Sequence, residues 1–95
     1  MTEMDVHRIL NEALAEKLRF PISQIANGTR LLDIGLDSLR LMDVLMAFEG
    51  GIKLEIPSDA LSQIAESQTV GEMAALLEKA LTRGTPRRVA AMKAR

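Results

Sequence analysis

Ser38 is the side chain best placed to do chemistry, because it stands where a helix is about to begin. Asp37 before it is a favoured N-cap residue, and the apolar positions that follow have helical spacing. The hydroxyl therefore belongs to a first turn, where unpaired amides and the positive end of the helix dipole favour a phosphate attached to it. Asp37-Ser38 also makes an ordinary helix cap, and spacing alone leaves both readings open. Hydrolytic chemistry fits poorly. Gly-Leu-Asp-Ser-Leu is not a nucleophile elbow, which needs a glycine two residues on either side of the serine and a strand before it. His7 is the single histidine, so a multi-histidine metal site is excluded and any Ser/His pair must use that residue. The chain has no cysteine, which removes thiolate nucleophiles, Cys-ligated zinc, iron–sulfur clusters and disulfide scaffolds. Two phenylalanines, without Trp or Tyr, leave almost nothing on which bases or sugars would stack.

The elements that hold Ser38 must come from one small core, since 95 residues do not divide into two. With 47% hydrophobic and 26% charged residues the composition is near the globular average and supports a folded chain. Thr2, with Asp5 three positions on, opens a first helix carrying Val6, Ile9, Leu10, Ala13, Leu14 and Leu18 on one face, and Phe20-Pro21 ends it. A long connection follows through the Asn27-Gly28 turn. Ile22, Ile25, Leu31, Leu32 and Ile34 are spaced along it, so it is expected to lie across the bundle. A second helix runs from Asp37 or Ser38 to Glu49, with Gly50-Gly51 as its terminator. Ile52, Leu54 and Ile56 then read as an extended connector, and Pro57-Ser58-Asp59 opens a short third helix over 59–65. Thr69 and Glu72 form a capping box for a fourth helix, with Val70, Met73, Ala74, Leu77, Ala80 and Leu81 as its stripe and an end near Arg83-Gly84. The expected fold is all-α: a four-helix bundle with a long first crossover and a short third helix. The domain is expected over 1–83, with 84–95 as a basic tail. Net charge divides accordingly, −6 over residues 1–82 and +5 over 83–95.

Helix two has two apolar faces. Placed at about 100° per residue, Leu41, Val44, Leu45 and Phe48 form a core stripe, while Leu39, Met42 and Met46 form another. The second face is either covered by the crossover or the third helix, or it is a contact surface. Methionine suits surfaces that meet several partners. Asp37, Asp43 and Glu49 give that face an acidic rim, broken by Arg40.

The stretch Leu31-Leu32-Asp33-Ile34-Gly35-Leu36-Asp37-Ser38-Leu39 resembles the phosphopantetheine attachment site of acyl carrier proteins, with its Asp-Ser-Leu motif at the start of the second helix. The likeness extends over about residues 3–82 through the long crossover, Leu-x-x-x-Gly before the motif, Ile52-Lys53-Leu54-Glu55-Ile56-Pro57 after helix two, and a capped last helix. The resemblance implies a non-catalytic carrier. Ser38, flanked by Asp37 and Leu39, would receive 4'-phosphopantetheine from coenzyme A and carry acyl groups as thioesters, so the working sulfur would be the cofactor's. It implies a contact set for phosphopantetheinyl transferase and acyl-handling enzymes of Asp37, Leu39, Arg40, Met42, Asp43, Met46 and Glu49, with Ile56 at its lower edge. It implies an acyl-chain lining of Leu45, Phe48, Leu61, Ile64, Ala65, Ala74 and Leu77, which are also plain core positions. Arg40, where housekeeping fatty-acid carriers are typically acidic, and Gly50, in place of an acid, point to a dedicated partner set.

Other classes of function remain beside this one. An aminoacyl or peptidyl carrier is the nearest, although peptidyl carriers more often have histidine where Asp37 stands. A helical adaptor binding a partner on the Met42/Met46 face is the second. No metal site, nucleic-acid partner or membrane span is expected, since the longest apolar runs, Val44 to Phe48 and Met73 to Leu77, have five residues. The acidic start carries no signal peptide pattern, so a monomeric cytoplasmic protein is expected. His7 lies at the edge of the first helix's stripe, as a packing residue or a rim histidine. The tail reads as solvated disorder, a docking arm or a weak phosphate binder.

Overall fold

A computed structural model describes residues 3–83. They form α1 (Glu3–Leu18), α2 (Ser38–Ile52), α3 (Leu61–Ala65) and α4 (Val70–Arg83), with 3₁₀ turns at Ile22–Gln24, Leu31–Ile34 and Ser58–Ala60. The long first crossover and the short third helix are both present, and no strand occurs among the described residues. The expected Thr2 cap and the basic tail lie outside them. α1 packs against α2 and α4, and α3 packs against α4. Leu10, Leu14, Phe48, Ile64, Met73 and Leu77 are the large side chains sealed at the centre.

α1 buries Val6, Leu10, Ala13 and Leu14, with Ile9 and Leu18 packed at the margin of the core. It stops at Leu18, short of Phe20-Pro21, because Arg19 takes a left-handed conformation with φ 55°. The Phe20 amide then turns back to the Ala15 carbonyl at 3.1 Å, closing the helix as a C-terminal capping turn does. Arg8 bridges Asp5 at 3.5 Å and Glu12 at 3.7 Å on the exposed side. Such surface pairs contribute little to stability.

The crossover lies across the bundle through Ile25, Leu31, Ile34 and Leu36, all buried, whereas Ile22 and Leu32 face outward against expectation. In the Leu31–Ile34 turn the reason is geometric. Three residues per turn put Leu31 and Ile34 on the same inner side and Leu32 off it. Backbone bonds tie this segment to the start of α4: Leu31 N–H to Gln68 O, Val70 N–H to Thr29 O and Gly71 N–H to Asn27 O, each at 2.9 Å. Two amides at the start of α4 that lack intrahelical acceptors are thereby satisfied. Thr69 Oγ1 accepts the Glu72 amide at 3.2 Å, as the capping box requires, while the Glu72 carboxylate reaches the Gln68 amide at 2.8 Å. Gly71 permits the close approach, since a Cβ there would stand 3.1 Å from the Asn27 carbonyl oxygen.

α2 corrects the expected terminator. It runs through Gly50 and Gly51 to Ile52, and Lys53 closes it in a left-handed conformation with φ 63°. Ile52 is buried and helical, so its core packing outweighs the roughly 1 kcal/mol that each glycine costs a helix, and the connector begins only after it. The two glycines differ. A Cβ on Gly51 would meet Ile9 Cγ2 at 2.8 Å, while Gly50 faces open space. Gly50→Ala is expected to stabilise by about 0.5–1 kcal/mol. Gly51→Ala should destabilise by about 1–2 kcal/mol, because the β-branched Ile9 has little rotameric freedom to withdraw. Urea melts of the two variants check this, and the opposite order would contradict the close α1–α2 contact. The third helix begins as the Ser58–Ala60 turn and becomes α-helical only at Leu61.

Candidate functional site

Asp37 sits in extended backbone before α2, where its carboxylate accepts the Arg40 amide at 2.8 Å and its carbonyl accepts the Leu41 amide at 2.8 Å. Asp37 is thus the helix cap, and Ser38 follows as the first helical residue. Both are exposed. The first-turn amides, which have no intrahelical acceptor, lie beside the Ser38 hydroxyl and suit an attached phosphate.

Ser38 also forms part of the wall of a groove of about 360 Å³ between the crossover, the first turns of α2, and the end of α3 with the residues after it. Leu31, Leu32, Leu36, Leu41 and Ala65 supply its apolar lining, and Arg30, Asp37, Ser67 and Gln68 its polar lining. The backbone bonds between crossover and α4 hold these segments together. Ser67 Oγ is shielded from solvent and makes no hydrogen bond. A hydroxyl at the mouth of a groove with mixed lining fits a covalently attached arm that carries both apolar and hydrogen-bonding groups.

The second face of α2 is uncovered. Leu39 is 82% exposed, Met46 65% and Met42 51%, so neither the crossover nor α3 closes over it. Asp43 is exposed on the same helix. Arg40 is exposed as well, and its Nη1 donates to the Lys17 carbonyl at 3.3 Å, which sets its charge at the negative end of the α1 dipole. Glu49 is half-buried and its carboxylate accepts the Ile56 amide at 2.8 Å, so this rim residue also fastens the connector after α2. Ile56 itself is buried in the core. Its side chain lies beneath the surface that the resemblance assigned to it, because the Glu49 bond draws the connector inward.

Of the seven expected lining residues, Leu45, Phe48, Ile64, Ala74 and Leu77 are sealed in the core and Leu61 is partly buried. Ala65 is exposed and is the one that borders the Ser38 groove. Leu41, expected in the core stripe, packs against the core half-buried and also borders the groove. Arg30, Ser67 and Gln68 had no signal in the sequence, because only the crossover-to-α4 pairing brings them to Ser38. His7 is half-buried on α1. Among the described residues no group of acidic, His or Cys side chains is arranged to hold a metal, and no helix is long and apolar enough to cross a membrane.

Comparison with known proteins agrees with this geometry. A family model described as a phosphopantetheine attachment site matches residues 8–77. An acyl carrier protein of Guillardia theta is 32% identical over 69 residues, covering 72% of this chain and 85% of that protein. An acyl carrier protein of Sinorhizobium fredii is 31% identical over 77 residues, covering 80% of this chain and 95% of that one. The chain therefore belongs to the acyl carrier protein family, as a carrier and not an enzyme, with covalently attached 4'-phosphopantetheine as its cofactor.

Proposed function

We propose that Ser38 bears the phosphopantetheine arm and that the exposed Leu39, Met42 and Met46, with Asp37 and Asp43, receive the transferase and the acyl-handling enzymes. The cargo is an acyl thioester of fatty-acid, lipid or polyketide-type synthesis, and the chain acts as a cytoplasmic monomer. One observation carries this reading: an exposed hydroxyl at a capped helix N-terminus stands between an uncovered apolar helix face and a groove. In the loading step a bond forms from Ser38 Oγ to the phosphorus of the pantetheine phosphate. The anhydride bond of coenzyme A breaks, the nucleotide leaves as its bisphosphate, and the serine proton passes to the transferase. The bound group supplies a thiol that forms thioesters.

The thioesters recovered on the chain from its own cells test the cargo. Acyl groups are expected, and aminoacyl groups would favour the peptidyl-carrier reading. Ser38→Ala is expected to abolish biological activity completely, whereas a helical adaptor using the same face would retain it. Arg40 is proposed to select a dedicated partner set. Arg40→Asp should raise the rate with a generic fatty-acid ketosynthase several-fold, since rim charges govern encounter. An unchanged rate would remove that role and leave Arg40 only its bond to Lys17.

A further inference from the structure

We propose that the groove beside Ser38 is the resting dock of the arm itself, held by a hydrogen bond from Ser67 Oγ–H to a carbonyl oxygen of one of the arm's amides. The inference rests on Ser38 as the attachment residue. Because Ser38 is exposed and lines the groove, an arm attached to it starts at the edge of the groove. The volume of about 360 Å³ is at the small end of ligand clefts. The sealed core side chains Leu45, Phe48, Ile64 and Leu77 do not border it. It therefore suits the arm better than a long chain running on into the core. Its chemistry matches in kind. A phosphopantetheine arm alternates a gem-dimethyl carbon and methylenes with two amides, and the groove sets Leu31, Leu36 and Leu41 against Arg30, Ser67 and Gln68.

Ser67 identifies the polar contact. Its amide is bonded to the Ile64 carbonyl at 3.1 Å, but its hydroxyl is shielded and makes no hydrogen bond. Shielded hydroxyls are nearly always partnered, because leaving one unpaired is costly. The residue borders the groove, and its side chain has three staggered wells among which the hydroxyl can move when an acceptor arrives. A carbonyl of the arm then provides the acceptor that the protein does not. Arg30 lines the same groove and makes no ion pair among the described residues, which leaves its positive charge for the phosphodiester at Ser38.

The test is a cycle of modification against mutation, with each loaded form confirmed by intact mass. Apo and holo chains are melted as wild type and as Ser67→Ala. Apo Ser67→Ala is expected to melt at or above apo wild type, since an unpaired hydroxyl has been removed. The holo form of wild type should gain stability over its apo form, and Ser67→Ala should lose about 4–8 °C of that gain, as expected for one hydrogen bond in a domain of this size. Magnetisation transfer from the arm's gem-dimethyl protons to the Leu36 and Leu41 methyls in holo wild type is expected as a second readout. Equal holo-minus-apo shifts in both proteins, or no such transfer, would overturn the proposal. A coupling that arises only when a 3-hydroxyacyl group is loaded, and not with a plain saturated one, would assign the acceptor to the cargo and overturn it too. Absence of any mass gain with Ser38 intact would instead remove the attachment reading, and this dock with it.

Discussion

Met42→Glu combined with Met46→Glu is expected to lower kcat/KM of the phosphopantetheinyl transferase and of acyl-loading enzymes by at least about 10-fold, while the melting temperature stays nearly unchanged. Both residues are more than half exposed on the uncovered face of α2, so neither carries much of the core. Glu and Met have similar helix propensities, and exposed substitutions of this kind usually move stability by less than about 0.5 kcal/mol. The functional loss follows from placing two carboxylates where an apolar contact would be desolvated. Truncation of such interface anchors typically costs about 1–2 kcal/mol or more, and an unpaired charge in their place adds to that. Steady-state kinetics with the double variant, alongside circular dichroism, checks both halves. Unchanged kinetics would move the docking surface elsewhere, with exposed Leu32 on the crossover as the next candidate.

Phe48→Ala is expected to destabilise the apo chain by about 3–5 kcal/mol, the usual cost of emptying the site of a sealed aromatic side chain. Phe48 is the largest of the fully buried side chains, and it lies among the positions proposed to line the acyl chain. Those positions have two roles to reconcile, because most of their side chains are already sealed in the core of the unloaded chain. If the chain enters there, the cavity left by Phe48→Ala is partly refilled on loading. The variant should then gain more stability from a medium-length acyl group than wild type does, read as the difference between acyl and holo melting temperatures. An equal gain in both proteins would place the chain outside this part of the core.

The legible part of this molecule is the part with local causes. Helical spacing in α1 and α4, Asp37 as a cap, the Thr69/Glu72 box and the second face of α2 all depend on residues within a turn or two of one another. The serine proposed to bear the arm is legible for the same reason, since its motif and its helix start are contiguous. What spacing could not give was decided across the chain. A Gly-Gly pair favours a helix end, yet α2 continues because Ile52 finds the core and Gly51 finds α1. Arg40 read as a lone charge on a docking face, and the fold gives it the end of α1 to bind. Ser67 and Gln68 are featureless in sequence. They become part of the site only because the crossover is stitched to the start of α4.

Intact mass spectrometry of the chain after incubation with coenzyme A and a broad-specificity phosphopantetheinyl transferase, with Ser38→Ala in parallel, tests the central claim most directly. The wild type is expected to gain one phosphopantetheine and the variant none, with both equally helical, because Asp37 still caps α2 without the serine hydroxyl. A gain in the variant, or no gain in folded wild type with several transferases, would contradict Ser38 as the attachment residue and leave it an ordinary first-turn residue of α2.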